Sequence, residues 1–116
     1  MGTDQYDKYC EAFLKCEKLR RDLRELHRQK EALRKEVKDP KNQEIQNITS
    51  KEQESEIELR KAETVLKTEE TALKDQMLVA KEASCEVAHS FDGTNFMISL
   101  TRISTDQGYL SIRKGS

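Results

Sequence analysis

The amino-acid sequence predicts a mainly α protein: two long helices forming a coiled coil, as an antiparallel hairpin or a kinked dimer, followed by a small three-stranded antiparallel β meander. Three observations predict it. Apolar residues recur every seven positions between Tyr9 and Val37. A proline, Pro40, interrupts that pattern. After Ser84 the apolar period falls from seven to two.

Composition supports the helices. Of 116 residues, 34% are hydrophobic, 37% charged and 5% aromatic, with no Trp. A globular domain of this length normally carries a larger share of core-forming residues. High charge with few aromatics leaves either disorder or long helices with thin apolar seams. The heptads decide for helices, and a single Pro with four Gly agrees, because helix interiors tolerate neither residue well.

The first helix is expected over 1–38. Its a positions are Tyr9, Cys16, Leu23, Lys30 and Val37, and its d positions Ala12, Leu19, Leu26 and Leu33. Such a stripe is narrow and needs a partner helix to cover it, so these nine residues form the expected oligomerisation seam. Lys30 is its one charged member. A polar residue at an a position can set register and partner number; otherwise its long stem lets the ammonium reach water. On the register reading, Lys30→Leu raises thermal stability and broadens the distribution of oligomers. Cys16 reads as a small core residue, facing its own copy in a parallel dimer or the second helix in a hairpin.

The stretch 39–43 is a turn or kink. Proline disfavours helical geometry at the residue before it, and Asp39 with Pro40 reads as an N-cap followed by a first helical residue. The second helix is expected over 44–85. Its seam is Ile45, Ile48, Leu59, Ala62, Leu66 and Leu73, continued by Ala80 and Ala83 and broadened by Ile57, Val65, Ala72, Met77 and Val79. Glu52, Ser55, Glu69 and Gln76 interrupt it. Charge favours the hairpin. From Lys15 to Lys38 there are ten basic against five acidic residues, and from Glu44 to Glu86 six against eleven, within a net charge of −1.

The meander is expected over 86–116. Val87, His89 and Phe91 alternate with polar or small residues, Asp92-Gly93-Thr94-Asn95 is turn chemistry, and Phe96 to Ile103 reads as a strand. Thr105-Asp106-Gln107-Gly108 is a second turn before a strand from Tyr109 to Arg113. Three short strands are too small to be stable alone. They pack on the helix end, on their own copy or on further protein. An exposed strand edge can accept another strand, so Phe91, Phe96, Ile98, Leu100, Tyr109 and Leu110 form the candidate partner surface. The bland reading is that they bury against one another and the coil.

Motifs for nucleotide, metal or nucleophilic chemistry are missing from the sequence. No catalytic residue, cofactor or metal is therefore expected. His27 falls at an e position, where it can pair with Asp22 of a neighbouring helix, and His89 reads as a packed residue of an apolar strand face. The basic run around Lys18, Arg20, Arg21, Arg24, Arg28, Lys30, Arg34 and Lys35 reads as a solvated face complementing the acidic helix. No aromatic interleaves with it for base stacking. The three cysteines, Cys10, Cys16 and Cys85, contain no CxxC pair, and neither a signal peptide nor an apolar run near ~20 residues is evident. An intracellular setting, cytoplasmic or nuclear, is the expectation.

The order of coil followed directly by strands, with Phe96-Met97-Ile98-Ser99-Leu100 on the middle strand, resembles the globular ends of kinetochore coiled-coil subunits. In that family a helix closes the domain after the strands; here the sequence shows none. The function expected from the residues is a non-enzymatic oligomerisation and protein-interaction module, a coiled-coil scaffold presenting a small β element to protein partners, with self-association. Nucleic acid is not the expected partner and no membrane span is expected. The alternatives are a nucleic-acid-associated coiled-coil protein using the basic face of the first helix, and a kinetochore-like coiled-coil subunit with a truncated globular end.

Overall fold

A computed structural model describes residues 3–38 and 42–115. Among these, two helices, α1 (Thr3–Glu36) and α2 (Gln43–Ala80), precede three strands, β1 (Cys85–Phe91), β2 (Thr94–Ser104) and β3 (Gln107–Lys114). The strands form one antiparallel sheet in the order β1-β2-β3. The chain divides into two compact units, Leu14–Thr64 and Met1–Phe13 with Val65–Ser116.

α1 begins with Asp4 in its first turn and closes with Arg34 and Lys35 in its last, as the helix dipole favours. It ends at Glu36, two residues before the expected Lys38. The expected N-cap pair Asp39 and Pro40 lies outside the described residues. The cap that α2 uses is Asn42: its Oδ1 accepts from the backbone N–H groups of Glu44 at 2.9 Å and Ile45 at 3.3 Å. That satisfies two of the donors a helix start leaves unpaired. α2 stops at Ala80 rather than running to residue 85, so 81–84 are irregular and Cys85 belongs to β1.

In the unit Leu14–Thr64 the two helices lie antiparallel. Lys30 meets Glu52, and Cys16 lies within the field of Glu63. The less exposed positions of α1 here are led by Cys16, Leu19, Leu23, Leu26, Lys30 and Leu33. Those of α2 include Ile45, Ile48, Glu52, Ser55, Leu59 and Ala62, stepping by three and four. Glu52 and Ser55, expected as interruptions, occupy the inward row themselves. Ile57, expected to broaden the stripe, is exposed.

In the other unit the sheet and both helix segments share a core. Tyr9, Cys10 and Ala12 of α1, Leu73, Met77 and Leu78 of α2, and Phe96, Ile98, Leu100 and Leu110 of the sheet are buried. Phe13 meets Phe96 edge-on, with ring centroids 5.9 Å apart. Burying each large side chain stabilises by about 1.5–3 kcal/mol; this is what the strands lack as an isolated meander. Val65, Ala72, Val79, Ala80 and Ala83, assigned to the stripe from sequence, are exposed, whereas Met77 is buried.

Asp92 and Gly93 both take positive φ, 50° and 75°. This is the two-residue hairpin turn whose twist matches the strands it joins. The turn is therefore shorter than the sequence suggests, and Thr94 and Asn95 are already paired with β1. The second hairpin turns at Thr105 and Asp106, and β3 starts at Gln107. A register shift between Arg102 and Ser104 leaves Ile103 as the extra residue of a bulge.

Candidate functional site

Among the described residues, one group of polar side chains is held in the helical unit and two in the sheet-bearing unit. In the helical unit, Lys30 Nζ lies 3.0 Å from Glu52 Oε1, and His27 Nδ1 faces the other oxygen, Glu52 Oε2. Glu52 is buried, while His27 is half in solvent. One carboxylate inside the inward row thus accepts from Lys30 and meets the His27 imidazole, both from α1. Within the chain His27 meets Glu52 of α2; the pairing expected from sequence, with Asp22 of a neighbouring helix, belongs to a parallel dimer. The chemistry of the cluster is alignment: it satisfies a buried charge only when the two helices hold one longitudinal offset.

In the sheet-bearing unit, Asp7 of α1 reaches His89 of β1, with Oδ1 2.6 Å from Nε2. The Tyr6 ring lies over the imidazole at 5.4 Å. Gln5 Nε2 donates to the Glu69 backbone carbonyl at 3.2 Å and to its side chain at 2.7 Å. Burial raises the Tyr6 and Tyr9 hydroxyls above the ordinary tyrosine value, helped by the charge of Cys85 on Tyr6 and of Glu70 on Tyr9. Both phenols therefore stay neutral at physiological pH.

Arg102, on β2, is the group that sequence reading missed. Its guanidinium donates to the backbone carbonyls of Leu78 at 2.6 Å and Thr105 at 2.5 Å, to Ser104 at 3.2 Å, and also to Lys81. Its own N–H donates to Ser84 Oγ at 2.9 Å. α2 carries no basic residue in its last turn. The carbonyls left open at that helix end are met instead by a side chain from the sheet. The missing basic turn was the available signal, but nothing in the sequence said which arginine would supply it.

Burial within the chain sorts the six residues of the candidate partner surface. Phe96, Ile98, Leu100 and Leu110 face the core and Phe91 is half-buried; of the six, Tyr109 alone is well exposed, at 61%. Alternation along β2 and β3 sorts them: residues flanking the core positions point to the other face. That outer face carries Ala88, Met97, Ser99, Thr101, Tyr109 and Ser111, with Glu86 and Arg113 4.0 Å apart across it. It mixes small polar side chains with Met97, Tyr109 and a charged pair, the composition of a rim or a light contact.

Among the described residues, no helix is long and apolar enough to cross a membrane, and no group of three or more His, Cys, Asp or Glu is placed to hold a metal ion. In comparisons with protein-family models, curated proteins and solved structures, nothing matches this chain.

Proposed function

We propose that the chain is a non-enzymatic interaction module in which a two-helix coiled coil holds a small β element for a protein partner. The observation that carries this reading is the Lys30–Glu52 pair. The one charge in the α1 seam is answered by a buried carboxylate in the inward row of α2. Helices whose seams complement each other within one chain need no second chain to cover them. The surface left for association is then the sheet, where Tyr109 and Ile103 are exposed. Its two outer strands, β1 and β3, also present backbone edges that no strand among the described residues covers.

The basic face of α1 supports a nucleic-acid reading less well. Arg28 is held by Glu25 and Arg34 by Glu31 along the same helix, which neutralises part of the face a phosphate backbone would need.

The test is site-specific photo-crosslinking in cells, with the reactive amino acid at Met97 or Tyr109 on the sheet, or at Glu58 on the exposed side of α2. Discrete protein adducts from the sheet positions, and not from Glu58, support the reading. Adducts confined to the helix position, or to nucleic acid, overturn it.

A further inference from the structure

We infer that β3 pairs with β3 of a second copy of this chain, antiparallel and centred on Leu110. The inference deepens the interaction-module reading by naming what the sheet takes.

The argument starts from hydrogen-bond phase. Gly115 N–H donates to Asn95 O at 2.8 Å. In an antiparallel ladder, pairs that exchange hydrogen bonds alternate with pairs that do not. Arg113, Ser111 and Tyr109 therefore also turn their backbone groups toward β2, through the partners Met97, Ser99 and Thr101. The N–H and C=O groups of Gly108, Leu110 and Ile112 turn the other way, along the edge that no described strand covers. Arg102 fits the same phase: its N–H points away from β3 and reaches Ser84.

Two such edges can meet about a two-fold axis only in registers that set outward groups opposite each other. Centring on Leu110 pairs Leu110 with its own copy, and Gly108 with Ile112 in both directions. The strand then overlaps along almost its whole length, and core-side residues of both copies stay on one face. The same register sets Asp106, the turn residue before β3, against Lys114, and Gln107 against Arg113. Shifting the centre by one residue either way separates Asp106 from Lys114.

Charges at a strand edge normally prevent promiscuous pairing. Here the positive end of β3 repels a partner in most registers but meets its own Asp106 in this one. The charge is then a selector for a second copy rather than a simple barrier. The β1 edge offers no equivalent, since centring on Ala88 sets Glu86 against Ser90. Opposite Ile112, Gly108 has no side chain to obstruct the approach.

The experiment is sedimentation equilibrium of the full chain up to ~1 mM, with Asp106→Lys and Lys114→Asp as separate variants. Both positions are exposed, and circular dichroism of each variant checks that it folds. The expected result is a weak wild-type dimer and, for each variant alone, dimerisation weaker by about ten-fold or more, because each places like charges together twice. An equimolar mixture of the two variants regains dimerisation, since each lysine of one variant then faces an aspartate of the other. Hydrogen exchange supplies a second readout: the outward amides of Leu110 and Ile112 slow as protein concentration rises. A wild-type chain that stays monomeric at ~1 mM overturns the inference. So does a dimer indifferent to both charges, which would place association elsewhere on the chain. Either failure leaves the crosslinking result at Met97 and Tyr109 to decide the broader reading on its own.

Discussion

Lys30 Nζ and Glu52 Oε1 lie 3.0 Å apart inside the inward rows of α1 and α2, with side-chain exposures of 16% and 6%. The pair reverses the sign expected for Lys30→Leu. Viewed alone, Lys30 is a polar intruder whose removal stabilises. Viewed with Glu52, its removal strips a buried carboxylate of its main counter-charge. Breaking a buried pair on one side costs about 3–5 kcal/mol when burial is complete, while replacing both partners with apolar residues is neutral or favourable. His27 remains beside Glu52 and softens the loss. Lys30→Leu should therefore lower stability by about 2 kcal/mol, and Lys30→Leu with Glu52→Leu should restore or exceed it. Urea unfolding of the two singles and the double checks this; independent, additive effects would show that the pair carries no coupling.

Arg102 joins β2 to the end of α2 through several backbone carbonyls. Arg102→Ala should cost about 2–3 kcal/mol, since hydrogen bonds to charged groups are worth more than neutral ones and the carbonyls stay partly desolvated. Arg102→Lys should recover little, because an ammonium is a point donor and cannot reproduce the planar fork. Thermal melts compare the three proteins; a lysine variant as stable as wild type would reduce the contact to simple charge.

Two glycines separate crowding from backbone strain. A Cβ on Gly108 would sit 2.7 Å from the Thr101 carbonyl oxygen, whereas one on Gly93 meets nothing within 4 Å but must adopt φ +75°. Gly93→Ala should cost about 1 kcal/mol, the left-handed penalty of an L-residue. Gly108→Ala should cost about 2 kcal/mol or more, since the backbone of β2 must move. The order of the two urea midpoints is the readout.

Burial, with Asp7 adding to it, pushes the Cys10 thiol from an ordinary 9 up to about 11. The folded value lies above the unfolded one. The thiol's contribution to stability is therefore complete below about pH 9 and is lost as pH rises toward 11. Two units correspond to about 2–3 kcal/mol. The wild type should therefore weaken over that window more steeply than Cys10→Ala. Cys16 is also raised, chiefly by burial, and is itself buried; Cys85 is half-buried. A thiol reagent near neutral pH should accordingly label Cys85 first and leave Cys10 and Cys16 to react with unfolding.

The less exposed face of α1 is legible in the sequence because heptad spacing reports a helix face directly: Tyr9, Ala12 and Cys16 are buried, and the positions from Leu19 to Val37 at the same interval are half-buried. The strands are legible from their period of two, and so is which of their residues share a face. What that face meets is not. Phe96, Ile98 and Leu100 are buried in the same unit as Leu73 and Met77, and Phe13 meets Phe96, an association across long sequence separations that carries no local signature. Glu52 reads as a fault in the α2 stripe for the same reason, since its partner lies on another helix. Arg102 leaves no local trace either, because an arginine in a strand ordinarily belongs to solvent.

The Lys30–Glu52 contact also constrains how the sequence can drift. Both partners sit within helices, so the segment joining α1 to α2 can gain or lose residues without disturbing them. Seven residues deleted between Cys16 and Lys30 are a different matter. They keep every side chain on its face yet carry Lys30 about 10 Å along the axis, away from its carboxylate. The deletion is neutral only when α2 loses a matching heptad between Glu52 and Glu63. Insertions and deletions in the two helices should thus be inherited in pairs, and one lysine with one glutamate keeps the tally.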